Sequence, residues 1–218
     1  MKWWKILSIV LIFYALVAGL LLRVPQLPIL EQSIRNLYYH VPMWFGMIVL
    51  LIASAFHAIK TLNKNESNSD ISSSTYASVA LLYGSIGLLT GMLWAKNTWG
   101  DYWPNDPKLN GAAIGMLMYA AYFVLRSSIE EDEKKARISA VYNLFCLPVF
   151  IVLIFVLPRM SSSLHPGNGG NPGFNSYDLD SRLRMVFYPA VVGWILLGFW
   201  IANLQIRVKK LAHKKYND

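Results

Sequence analysis

Residues Ile6 to Leu22 read ILSIVLIFYALVAGLLL, seventeen residues with neither a charge nor a proline. A helix needs about 20 mostly apolar residues to cross a bilayer core of about 30 Å, so this run is long enough to be a membrane span. Met1–Lys5 places two lysines ahead of it, as a signal peptide would. The apolar run outlasts a normal signal-peptide core, however, and no small-residue cleavage site precedes Arg23, so a retained helix is expected. Five more apolar stretches follow at Trp44–Leu62, Tyr76–Ala95, Gly111–Leu125, Ile138–Leu157 and Met185–Val208. The chain as a whole is 55% hydrophobic and 15% charged, far from a soluble balance. A β-barrel also satisfies its backbone in lipid, but it would show short alternating segments rather than unbroken runs. The expected fold is therefore all-α: one polytopic domain over residues 1–218 with six transmembrane helices, carrying a tryptophan-rich loop at residues 94–111.

The basic residues orient this arrangement. Thirteen of the twenty lysines and arginines fall at the termini, in the second and fourth connectors or at the span ends beside them, and the positive-inside rule puts that side, with both termini, in the cytoplasm. The net charge of +8 thus anchors the chain against a lipid bilayer, and no nucleic acid is expected as partner. The connectors on the other side are Arg23–Met43, Lys96–Asn110 and Pro158–Arg184. The inner ones are plain: Asn63–Thr75 reads as a polar turn and Ser127–Arg137 as a charged surface stretch. Apart from Lys60 and Arg207 near their ends on the side of the termini, the six apolar stretches hold no Asp, Glu, Lys or Arg, which counts against an ion-coupled permease. Gly87 and Gly91, and Gly111 and Gly115, have the small-xxx-small spacing of close helix packing. Pro148 and Pro189 are expected to kink their helices. Cys146 has no partner for a disulfide and reads as a small buried apolar side chain.

The outer connectors carry the chemistry. His40, in YYHVPMWF, lies just before the second span, where Pro42 suits a first helical turn. His165 opens the glycine-rich stretch HPGNGGNPGF, which lacks the lysine and hydroxyl of a phosphate-binding loop and reads as a flexible connector. A lone interfacial histidine is commonly a solvated surface group. Two on one face of a membrane suit the axial positions of a haem iron, and a porphyrin needs an aromatic platform. The segment between them, WAKNTWGDYWPNDPKLNG, supplies such rings in Trp94, Trp99, Tyr102 and Trp103. The same rings also fit an interfacial aromatic belt. The spacing, Gly100 and the interleaved Asp101 and Asp106 go beyond what a belt requires.

These residues resemble the W-G-x-x-W-x-W-D signature of the tryptophan-rich (WWD) haem-handling proteins of cytochrome c maturation. Trp99, Gly100, Trp103 and Asp106 match it in order, and Asn105 stands where the family has tryptophan. In length, span layout and flanking histidines the chain resembles the CcmC branch from about Leu7 to Gln205, and is short for the CcsA branch. The resemblance implies an inner-membrane protein that receives haem b with the help of ABC transporter subunits (CcmA/CcmB-like). It would hold the haem at the periplasmic face and hand it to a CcmE-like haem chaperone. His40 and His165 would be the iron ligands, with His165 on its mobile loop the exchangeable one. Trp94, Trp99, Gly100, Tyr102 and Trp103 would form the platform. Asp106 would act as a ligand contact or by fixing the loop's own backbone. Arg23, Arg35, Lys108, Arg182 and Arg184 are candidates for the propionates, each also readable as an ordinary interfacial charge. With no nucleophile or catalytic base evident, a delivery component is expected rather than an enzyme. The alternatives are a subunit that keeps haem b for electron transfer, and a permease without haem.

Overall fold

The computed structural model describes residues 2–64, 67–166 and 179–217, and every regular element among them is helical. Helix α1 is Trp3–Leu21. A 3-10 helix, Glu31–Asn36, runs directly into α2, Leu37–Lys64. Then come α3, Ser67–Trp99, α4, Pro107–Ser127, and α5, Asp132–Met160, with a π-helical stretch at Val152–Val156. Helix α6, Ser181–Asn217, closes the chain. All six are long and apolar enough to cross a membrane, and the protein is an all-α polytopic membrane protein. Most of the glycine-rich connector lies outside the described residues.

Two apolar clusters hold the bundle together. Met47, Leu50, Val79, Tyr83, Tyr119 and Phe150 are buried where α2, α3, α4 and α5 meet. Ala15, Ala18, Tyr38, Leu183, Phe187 and Ala190 seat α1 against α6 and the start of α2. Across that second contact Ser8 Oγ donates to Gly193 O at 3.1 Å and Tyr14 Oη to Met185 O at 3.2 Å. The outward faces expose Leu93, Leu117, Phe145 and Val208, as a lipid-facing surface requires.

The helices begin earlier and end later than their apolar cores. Pro42 lies in the second turn of α2 rather than its first, because the 3-10 segment delivers the chain already wound. The polar stretch from Ser67 to Thr75 is not a turn but the first turns of α3. The hydroxyls of Ser72, Ser73, Ser74 and Thr75 are satisfied inside the bundle. Ser72 Oγ and Thr75 Oγ1 donate to the carbonyls of Asn68 and Ile71, four residues back, a pattern compatible with a helix interior. Ser54 Oγ on α2 donates to Ser73 O at 2.7 Å, and Asn143 Nδ2 on α5 donates to Ser54 Oγ at 2.7 Å and Ser73 Oγ at 3.1 Å. Asp70 pairs with Arg126 through both guanidinium arms, tying α3 to α4 at the same end. In α5, Pro148 lacks the amide hydrogen of a regular helix, and the π stretch begins four residues later. There α4 comes close, with a Cβ on Gly111 falling 2.5 Å from Leu153 O.

Candidate functional site

Alternating helix directions bring the ends of α1, α3 and α5 and the starts of α2, α4 and α6 to one end of the bundle. His40 sits there, on the first turn of α2 rather than in a connector. Its Nδ1 lies 3.0 Å from Gly87 O and 3.2 Å from Thr90 Oγ1, both on α3. A carbonyl only accepts, so Nδ1 carries the hydrogen and the lone pair of the neutral ring is on Nε2. Gly91 provides the room: a Cβ there would lie 2.7 Å from His40 Cε1. Gly87 does the same for Trp44, whose Cε2 would be 2.9 Å from a Cβ. The Gly87/Gly91 pair thus receives side chains, not another helix backbone. Trp44 and Trp94 meet the imidazole edge-on at 6.4 and 5.8 Å. Trp94 Nε1 donates to Ser33 Oγ at 3.2 Å.

The connector from α3 to α4 is short and tightly tied. Gly100 has φ +84°, and nothing lies within 4 Å of the point a Cβ would occupy, so its glycine is required by backbone conformation alone. Lys96 Nζ donates to Gly100 O at 2.8 Å and lies 5.4 Å from the Tyr102 ring centre. Tyr102 itself is exposed. Trp103 Nε1 donates to Asn110 Oδ1 at 3.1 Å, and Asn110 Nδ2 donates to Asn105 Oδ1 at 3.0 Å. Asn105, where the motif has tryptophan, therefore helps to hold the Trp103 ring through Asn110.

Asp106 closes the connector and is 1% exposed. It is the N-cap of α4, with Pro107 following as first helical residue, a favourable pairing. Oδ1 accepts from Lys108 N at 2.9 Å and Leu109 N at 3.2 Å. Oδ2 accepts from Ser163 Oγ at 2.8 Å and Leu164 N at 2.7 Å. His165 Nδ1 stands 3.0 Å from Oδ1, and the Trp99 ring meets the His165 ring edge-on at 5.0 Å. Burial pushes the Asp106 carboxyl up, but the donors His165, Leu164 and Ser163 outweigh it and hold the group below the usual carboxylate range.

The other basic candidates divide. Arg35 Nη1 donates to Gly19 O and Leu22 O at 2.6 and 2.8 Å, so it completes the C-terminus of α1. Arg182 pairs with Asp180, and Arg184 Nε donates to Leu179 O at 2.7 Å. Arg23 is exposed. Lys108 stands in the first turn of α4, where its backbone N–H is held by Asp106. Sequence reading missed Thr90 and Ser163 as supports; the Gly87/Gly91 spacing was visible, but it is equally the spacing of plain helix packing.

At this end of the bundle the imidazole of His40 therefore has indole neighbours in Trp44 and Trp94, and that of His165 has one in Trp99. A family model described as CcmC, heme exporter protein C, matches residues 1–217. The chain belongs to this family. Relatives within the CcmC family include heme exporter protein C of Bradyrhizobium diazoefficiens, 29% identical over 113 residues, which cover 51% of this chain and 43% of that protein. The protein of the same name in Paracoccus denitrificans is 24% identical over 179 residues, covering 81% of this chain and 72% of the relative. The cytochrome c biogenesis protein CcsA of Prochlorococcus marinus is 37% identical over 87 residues, 40% of this chain and 27% of that protein. The chain thus spans less than half of the Bradyrhizobium protein and most of the Paracoccus one.

Proposed function

We propose that this protein handles haem for cytochrome c maturation, holding haem b at the outer face of a bacterial inner membrane and handing it to a CcmE-like chaperone. The observation that carries the reading is the matched state of the two histidines. Each has its Nδ1 against an acceptor, Gly87 O for His40 and the Asp106 carboxylate for His165, so in each neutral ring Nε2 is the nitrogen with the lone pair iron would take. The rings of Trp94 and Trp99 lie beside one imidazole each, Tyr102 and Trp103 extend the aromatic surface, and Lys108 is the basic group best placed for a propionate. The excess of lysine and arginine at the opposite end supports an outer, periplasmic position for this site and cytoplasmic termini. Haem would reach it with ABC transporter subunits of the CcmA/CcmB kind. The residues act by binding and release, and the chain is read as a delivery component rather than a catalyst.

The test is a spectrum of the purified protein followed by transfer. A Soret band that is lost in His40→Ala and in His165→Ala supports the ligand pair; undiminished colour in the double variant rejects it. Haem passing to added chaperone supports delivery. The second reading, a subunit that keeps haem b for electron transfer, gains from the position of His40 on a helix, where such subunits carry their ligands. Haem that stays bound in both oxidation states in the presence of chaperone would favour it.

A further inference from the structure

Asp106 is tied to far more than a helix cap needs. Two of its five donors, Lys108 N and Leu109 N, are the usual N-cap partners; the other three come from a connector more than fifty residues away, at Ser163, Leu164 and His165. One buried carboxylate therefore splices the end of α5 to the start of α4 and holds an imidazole as it does so. At His40 the corresponding acceptor is a neutral amide carbonyl, Gly87 O.

We infer that Asp106 is a positioning residue that makes His165 the stronger electron donor of the two imidazoles toward iron. The inference rests on the reading of His40 and His165 as haem ligands. A carboxylate draws the Nδ1 hydrogen toward itself more than an amide oxygen does, and that raises the electron density at Nε2. Greater ligand basicity favours ferric over ferrous iron, so the bond lowers the reduction potential of bound haem. Asp106 acts here through His165 and need not touch haem.

The full-length protein in lipid nanodiscs, loaded with haem, supplies the test. In His165→Gly the missing ring is replaced by added imidazole, 4-methylimidazole or 1-methylimidazole, and formation of the six-coordinate spectrum is titrated. The first two keep an N–H for Asp106 once bound to iron; 1-methylimidazole has none. Imidazole and 4-methylimidazole are expected to bind at least about tenfold more tightly than 1-methylimidazole, the scale of a lost outer contact to a metal ligand. The gap should close when Asp106→Asn is added. In the otherwise native chain, Asp106→Asn should shift the haem potential to more positive values, while Ser163→Ala, which keeps the carboxylate and removes only one of its other donors, should not shift it in that direction to the same extent. Equal binding of the three imidazoles overturns the inference while leaving the haem reading intact, and so does a 4-methylimidazole that behaves like 1-methylimidazole. An equal shift in Asp106→Asn and Ser163→Ala, or none in either, overturns it as well. A protein that takes up no haem in its native form overturns the reading beneath it. Should Asp106→Asn not fold, the His165→Gly titration decides alone, because that variant keeps the α4 cap.

Discussion

The carbonyl of Gly87 on α3 accepts the Nδ1 hydrogen of His40 on α2 across 3.0 Å. One turn on, Gly91 leaves the space that the imidazole fills. Helix α3 thus sets both the tautomer and the position of the ring.

Gly91→Ala should therefore act on haem binding through His40. Its Cβ would meet Cε1 at 2.7 Å, and the ring, held between Trp44 and Trp94, can move only by giving up the Gly87 bond. Haem affinity measured by Soret titration should fall at least about tenfold. Gly87→Ala keeps the accepting carbonyl and collides with Trp44 instead, so its main cost should appear in thermal stability. Native affinity in Gly91→Ala would refute the cradle.

Gly100→Ala tests backbone conformation in isolation. Open space surrounds the position and φ is +84°, so the substitution should cost about 1–2 kcal/mol of stability with no steric contribution. Gly100→Asn should recover part of that, since asparagine enters the left-handed region more readily. Equal unfolding temperatures for glycine and alanine would contradict the assignment.

At the opposite end, Asn143→Ala should lower stability by about 1–2 kcal/mol, as expected for interhelical hydrogen bonds in a membrane protein. It removes the donor to Ser54 and Ser73. Haem binding should be unchanged, because the site lies at the other end of the bundle. A parallel loss of haem affinity would show the two ends to be coupled.

Asp180 gives a pH dependence. Burial raises its carboxyl, but bonds from Leu183 N and from Arg182 outweigh that and leave it below the ordinary range. A group depressed in the folded state contributes stability above its unfolded pKa of about 4, and loses it as pH falls through the folded value. Stability should thus decline on acidification below about pH 4, and Asp180→Asn should flatten that part of the profile. Asp180 Oδ1 also accepts from Leu183 N at 2.9 Å at the start of α6, so alanine there should cost about 1 kcal/mol at neutral pH. Superimposable pH profiles for native protein and Asp180→Asn would exclude the effect.

The membrane-spanning character was legible because apolar runs of this length have few other uses. The ends of the helices were not. Ser67 to Thr75 has the composition of a turn, and only partners on α2 and α5 reveal why it can wind inside a bundle. His40 reads as a connector residue because the apolar core starts after it, while the 3-10 segment Glu31–Asn36 starts the winding earlier. The motif marked Trp99, Gly100, Trp103 and Asp106, all of which lie at one end. It could not show that Asp106 reaches Ser163 and His165, since that contact joins segments whose separation in sequence carries no signal. Nor could charge alone separate Lys108 from Arg35, which is committed to the end of α1.

The π-helical stretch Val152–Val156 in α5 has a geometric outcome at the far end of that helix. One surplus residue in a turn advances the following backbone by about 100° relative to an uninterrupted α-helix. The direction in which the chain departs after Met160 is set by that offset. Removing a single residue from the stretch would swing Ser163 to His165 around the helix axis and out of reach of the carboxylate that now fastens them.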